Sequence, residues 1–300
     1  MTRLKFLFIL LLLPLQGLFA QEVYLDSLYK VKPVVTKTYA EKDGEKLIVD
    51  LYQPDGKQQK RPLIVFMHGG GFAGGSPKNP QEVRFAKTAA AKGYNVALIS
   101  YRLTRKDKTF NCEFSADGKI KTFQMAAEDY MDAVKYLIEH AAEFSIDSNT
   151  IIAGGSSAGA EAVLDALYNP QLMFGPENPY KDIHFSAVIS LAGAIVDARY
   201  LTQKQAIPGL FFHGTADQLV PYATAAHHYC DPSEAGYIML DGAKTITKKL
   251  QKLDTSYLFF SFHGAGHEIS GMPFDYFPQL FTFLKNVVFD NMKIQATIYK

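Results

Sequence analysis

Short runs of apolar residues recur along the chain, several of them leading straight into glycine-rich loops, and this recurrence restricts the fold more than any other feature. Leu63 to Met67, Val96 to Ser100, Thr150 to Ala153, Ala187 to Leu191, Leu210 to His213 and Tyr257 to Phe262 are such runs. Each is too short for a helix and has no polar alternation, as expected of a strand covered on both faces in a parallel sheet. Helical patterns lie between them. Gln81 to Lys92 stops at Gly93, and Phe123, Ala127, Tyr130, Val134, Leu137, Ala141 and Phe144 are spaced alternately by four and three, so one apolar stripe faces the sheet. Upstream, Leu47, Val49 and Leu51 alternate with polar neighbours, a half-buried strand that ends at Pro54, and Asp55 to Arg61 forms a polar turn. Helical stretches are expected to fill the remaining gaps and to close the chain. Strands alternating with helices predict an α/β fold, a mostly parallel doubly wound sheet flanked by helices, with chemistry beyond the carboxyl ends of the strands.

One of those ends is distinctive. Gly155-Ser156-Ser157-Ala158-Gly159 follows the run Ile151, Ile152, Ala153 and leads into a helix-forming stretch, Ala160 to Leu167. A Gly-x-Ser-x-Gly pattern between strand and helix is a nucleophile elbow, in which flanking glycines relieve the crowding of a sharp bend. The pattern selects Ser157. Ser156 would need glycine at 158, where the chain has alanine. A serine hydroxyl is a poor nucleophile at neutral pH, so it needs a base, a group that orients the base, and donors for an oxyanion.

Three further loops, each directly after a strand candidate, offer such groups. His68-Gly69-Gly70-Gly71-Phe72 follows Met67, and consecutive glycines let backbone N–H groups approach a substrate oxygen without side chains in the way. His213-Gly214-Thr215-Ala216-Asp217-Gln218-Leu219-Val220-Pro221 brings in a carboxylate. His263-Gly264-Ala265-Gly266-His267-Glu268 supplies two histidines that compete for the role of base.

Together these segments resemble the α/β-hydrolase esterases and lipases with an HGGG-type loop, the hormone-sensitive-lipase-like group and related bacterial carboxylesterases. The resemblance runs from about Leu47 to Phe283. It implies an α/β-hydrolase fold and a serine carboxylesterase acting through an acyl-enzyme. Ser157 would be the nucleophile, His267 the base in place of His263, and Asp217 the orienting acid, ahead of the weaker candidates Asp197 and Asp241. The N–H groups of Gly70, Gly71 and Ala158 would form the oxyanion hole, with His68 organising its loop. Ser157, Asp217, His267 is also the chain order of that fold. Tyr101-Arg102-Leu103 matches the family's strand-end motif, but the proline-rich stretch that usually follows is replaced by a polar insert, Thr104 to Thr122, with Lys106, Lys108, Lys119, Lys121 and Cys112. The family's long N-terminal helical cap is not expected here.

Composition narrows the partners. With 31 basic against 30 acidic residues in 300, nothing suggests nucleic acid, and a neutral or modestly charged substrate is expected; the resemblance to exported esterases implies a small-molecule or polysaccharide-linked ester. Residues 1–20 read as an export signal, with Arg3 and Lys5 ahead of the apolar Phe6 to Leu13 and Ala20 at the cleavage position. Leu18, where a second small residue is preferred, keeps an uncleaved anchor as the alternative. A single hydrolase domain over 21–300, in the periplasm or outside the cell, is the expectation, with no later membrane span. Cys112 and Cys230 are compatible with one disulfide, which would staple the insert to the loop region after Asp217, or with two separate thiols.

His227 and His228 are adjacent and lack metal-ligand spacing, so a solvated or capping role is expected for them. Neither a dinucleotide fingerprint nor a Walker loop is present, and no cofactor or metal is implied. Two rival functions carry the same motifs: a serine peptidase of the prolyl-oligopeptidase type, and a catalytically inactive hydrolase fold used for binding.

Overall fold

The computed structural model describes residues 22–56 and 59–300; the leader read at Arg3 to Ala20 lies outside the described residues. The chain opens with a hairpin of β1 (Val35–Lys42) and β2 (Glu45–Tyr52). Asp43 and Gly44 close it with φ of 52° and 79°, the left-handed pair that a tight hairpin turn requires. There follow β3 (Arg61–Met67), α1 (Pro80–Ala91), β4 (Asn95–Ile99), α2 (Ala116–Glu139), β5 (Ile146–Ser156), α3 (Ala158–Tyr168), α4 (Pro170–Phe174), β6 (Ala187–Leu191), β7 (Ala194–Ile195), β8 (Gly209–Gly214), β9 (Thr224–Ala226), β10 (Met239–Gly242), α5 (Ala243–Lys252), β11 (Tyr257–Phe262), α6 (Phe277–Leu284) and β12 (Gln295–Tyr299).

Nine strands form one sheet in the order β1-β2-β4-β3-β5-β6-β8-β11-β12. β1 with β2 and β2 with β4 are antiparallel, and the pairs from β4 onward are parallel. Strands β7, β10 and β9 form a separate antiparallel sheet.

The continuous apolar runs divide by alternate residues between two cores. Leu63, Val65 and Met67 of β3 pack with α2, α3 and α5, through Phe123, Val163 and Ile246 among others. Ile64 and Phe66 of the same strand pack with α1 and α6, through Phe85 and Phe281. This is the two-faced burial that the lack of polar alternation predicts. Helix α2 starts earlier than its stripe, at Ala116, because Ser115 accepts the N–H of Gly118 and caps it. The helix ends at Glu139, so Ala141 and Phe144 sit in the turn beyond it.

One expectation is corrected. The chain closes on a strand rather than a helix: Gln295 to Tyr299 pairs in parallel with Tyr257 to Ser261. Its Thr, Ile and Tyr favour extended backbone, and β11 would otherwise leave an unpaired edge of N–H and C=O groups. The β1 strand also has no counterpart in the apolar-run reading, since it is an edge strand with no fully buried residue.

Candidate active site

The carboxyl ends of β3, β5, β8 and β11 converge on a cavity of about 500 Å³. Ser157 stands at its base with φ 50° and ψ −126°, a sparsely populated conformation held by the elbow. The glycines of the motif earn their places through backbone contacts. A Cβ on Gly155 would lie 2.5 Å from the carbonyl oxygen of Gly159, and one on Gly159 would lie 2.3 Å from that of Met67. The bend therefore forces α3 against both the strand it leaves and the end of β3.

Ser157 Oγ–H donates to Nε2 of His267 at 2.7 Å, and His267 Nδ1–H donates to Oδ2 of Asp217 at 2.8 Å. The carboxylate can only accept, so it assigns the proton to Nδ1 and leaves Nε2 free to take one from the serine. Asp217 is fully buried, and its Oδ1 accepts the N–H groups of Leu219 at 2.9 Å and Val220 at 3.0 Å. Burial pushes this carboxyl up, but hydrogen bonds from His213 and His267 outweigh it and hold it well below the usual carboxylate range. For His267, burial pulls the imidazole down, and the bond and charge of Asp217 prevail and raise it above 6.5.

The N–H groups of Gly70, Gly71 and Ala158 donate to no protein acceptor among the described residues, and all three residues line the cavity beside Ser157. His68 is buried beneath this loop, with Nδ1 2.7 Å from the carbonyl oxygen of Gly69 and its ring against that of Tyr101. Tyr101 O–H donates in turn to the carbonyl oxygen of His68 at 3.1 Å. His263, by contrast, is exposed at the end of β11, where its N–H donates to Lys300. Asp197 pairs with Arg199, and Asp241 accepts from Ala198 and Thr224, so neither carboxylate is near His267 in the bonding network.

A family model described as BD-FAE matches residues 49–197. In fold, the chain is similar to the apo form of Thermogutta terrifontis esterase 2, with a TM-score of 0.62 at 22% identity over 85% of this chain and 95% of that one. It is equally similar to the same esterase phosphorylated by paraoxon, with a TM-score of 0.63. The chain has the α/β-hydrolase fold. Among curated proteins it is 30% identical over 150 residues to gut esterase 1 of Caenorhabditis elegans, covering 50% of this chain and 24% of that protein. It is 26% identical over 168 residues to the neuroligin-like protein glit-1 of the same organism, covering 55% of this chain and 20% of that protein. The chain thus spans about a quarter or less of the length of the curated relatives it matches.

Within this α/β-hydrolase fold the insert after Tyr101-Arg102-Leu103 is a cavity wall. Phe110 lines the cavity, and Cys112 is disulfide-bonded to Cys230 with their Cα atoms 5.3 Å apart. Lys106, Lys108 and Lys121 are exposed, but Lys119 is fully buried and donates to the carbonyl oxygen of Gly236 at 2.8 Å. The insert is therefore docked on the segment before β10, with the N–H of Gly236 donating to Cys112 as well.

The same docking overturns the expected solvated role of His227 and His228. His227 is fully buried, edge-on to Phe110 and Phe123, and burial drives its imidazole down to about 3. His228 lines the cavity with φ 56°, and burial likewise takes it down to about 3. The disulfide and the β9–β10 pairing draw this segment inward, and sequence spacing carries neither constraint. Among the described residues, the one group of three potential metal ligands that sits together is Cys112, Cys230 and Glu234, and its two sulfurs are bonded to each other.

Sequence reasoning missed two carboxyl groups in the wall. Glu161 on α3 and Glu82 on α1 both line the cavity while almost wholly buried, at 2% and 4% exposure. Burial raises each to about 8, so both are largely neutral acids at pH 7. The position of Glu161, one helical turn after Ser157, was the available signal.

Proposed function

We propose that this α/β-hydrolase is a serine carboxylesterase. The observation that carries the proposal is the unbroken relay from Ser157 through His267 to Asp217, with three residues whose N–H groups are unengaged lining the same cavity. As Ser157 Oγ attacks the ester carbonyl carbon, its proton passes to His267 Nε2, and Asp217 stabilises the imidazolium that forms. The carbonyl oxygen becomes an oxyanion that Gly70, Gly71 and Ala158 can receive. Collapse expels the alcohol, which takes the proton from His267, and water then releases the acid from Ser157 by the same steps. The likeness to an esterase that is phosphorylated by paraoxon, and to gut esterase 1, supports this reading.

Hydrolysis of p-nitrophenyl acetate by the wild type, with a loss of roughly three to six orders of magnitude in Ser157→Ala, is the expected result. Covalent labelling by paraoxon should map to Ser157 alone. Turnover of peptide amides without esters would favour the peptidase reading, and absence of both turnover and labelling would favour a binding protein.

We further propose that the chain is exported, a reading supported by the leader-like residues 1–20 and by the Cys112–Cys230 disulfide, which suits an oxidising compartment. N-terminal sequencing of protein recovered from cell fractions should find it outside the cytoplasm, beginning near Gln21.

A further inference from the structure

Glu161 occupies an unusual position for a carboxyl group. Its side chain is 3% exposed, and Oε1 has no hydrogen-bond partner although His227 Nε2 lies 3.3 Å away. His227 is itself unpartnered at both ring nitrogens, so the pair does not satisfy itself. An unmet buried polar atom is costly, so one retained in the wall of this cavity calls for a ligand that meets it. Glu82 repeats the feature in the same cavity, with Oε2 buried and unpartnered. Among the described residues no lysine or arginine lines the cavity, so an anionic substrate finds no counter-charge from them there.

We propose that Glu161 is a specificity-determining residue that selects esters carrying a hydroxyl group close to the scissile bond. The inference rests on the esterase reading and deepens it. A protonated carboxyl presents one donor and one acceptor, the complement of an alcohol O–H, and burial keeps Glu161 in that form at neutral pH. Lys119, Asp217, His213 and His267 face it from neighbouring elements, but burial outweighs their combined influence. Glu161 N–H donates to the carbonyl oxygen of Ser157 at 2.9 Å, so the two residues stand one turn apart at the start of α3. A hydroxyl bound at Glu161 therefore lies only a few bonds from the carbon that Ser157 attacks. An alkyl ester of the same size would leave Glu161 unmet, and a site built to bond a hydroxyl discriminates strongly against the analogue that lacks it.

The test compares kcat/KM within matched pairs: 2,3-dihydroxypropyl acetate against propyl acetate for the alcohol side, and p-nitrophenyl 3-hydroxybutyrate against the butyrate for the acyl side. The wild type should favour the hydroxylated member of at least one pair by about tenfold or more. Glu161→Leu should bring that ratio to about one, while Glu161→Gln, which keeps a donor and an acceptor, should retain most of it. Near-equal rates within both pairs for the wild type would overturn the proposal without needing any variant to fold. A ratio unchanged in Glu161→Leu would overturn it too. So would a preference for acetylcholine over 3,3-dimethylbutyl acetate exceeding any hydroxyl preference, since that would assign Glu161 to a cation. Hydrolysis of p-nitrophenyl acetate in the same assays separates these outcomes from failure of the esterase reading, in which no ester is turned over.

Discussion

His213 Nε2 stands 3.3 Å from Oδ2 of Asp217, the oxygen that also receives Nδ1–H of His267. The same nitrogen lies 3.1 Å from the carbonyl oxygen of Val220, so Nε2 carries a proton shared between two acceptors. His213 is fully buried at the end of β8 and helps fix the turn that presents Asp217. His213→Leu leaves both acceptors short of a donor in a dry site. It is expected to destabilise the fold by about 1–3 kcal/mol and to lower kcat by about tenfold through misplacement of the carboxylate. Denaturant unfolding and steady-state kinetics on one ester check both halves; unchanged kcat would reduce His213 to a packing residue.

The pH dependence follows from the imidazole. In the proposed mechanism His267 must be neutral to accept the serine proton, and Asp217 raises its protonation midpoint above the usual imidazole value. Activity should therefore rise with pH through a midpoint above 6.5. Asp217→Asn removes the raising partner, so the midpoint should fall while the rate drops by about 10⁴-fold. The stability signs are opposite for the two groups. The raised histidine stabilises the fold fully at pH below its unfolded value and loses that contribution as pH rises through the folded value. The lowered aspartate contributes above the usual carboxylate range and loses its contribution as pH falls. A kcat/KM profile that stays flat across neutral pH would contradict the assignment of His267 as base.

Two glycines should respond differently to alanine. A Cβ on Gly155 meets the backbone of the first turn of α3, at 2.5 Å from Gly159 O and 2.7 Å from Ala160 N, so that turn must move and carry Ser157 with it. Gly71 has open space around a Cβ, and its cost comes from φ 61° alone. Gly71→Ala is expected to lose about 1 kcal/mol of stability and to keep most activity. Gly155→Ala should lose more than about 3 kcal/mol and about 10² in kcat. Thermal melts and ester turnover of the two variants, compared side by side, decide whether close backbone approach or conformational preference matters at each position.

What the chain revealed in advance was governed by backbone constraints that only certain residues meet. The glycines at 69–71, 155 and 159, placed after apolar runs, mark loops where main chain meets main chain, and so they show which side chains share one end of the sheet. Polar residues buried by tertiary contact were hidden for the opposite reason. His213, His227, Lys119 and Glu161 are of types that ordinarily face water, and they are interior through contacts made by tertiary folding, as of His213 with Val220, His227 with Phe110 and Phe123, and Lys119 with Gly236. The strands β1 and β12 escaped notice because edge strands are only half buried and carry a weak apolar pattern.

The cavity wall rests on the disulfide. Cys112 and Cys230 are separated by 118 positions, and closing a loop of that length in the unfolded chain is worth about 5 kcal/mol on the chain-entropy model. Removing it in a Cys112→Ala, Cys230→Ala variant should therefore lower Tm by about 10 °C. The Ser157–His267–Asp217 relay does not pass through either cysteine, whereas Phe110 and His228, which line the cavity, lie within two residues of them. Loss of the bond should thus raise KM more than it lowers kcat, because the wall is loosened while the nucleophile stays in place. Dithiothreitol treatment of the wild type should produce the same split. Equal falls in kcat and kcat/KM would instead mean that the disulfide holds Asp217 and His267 in register.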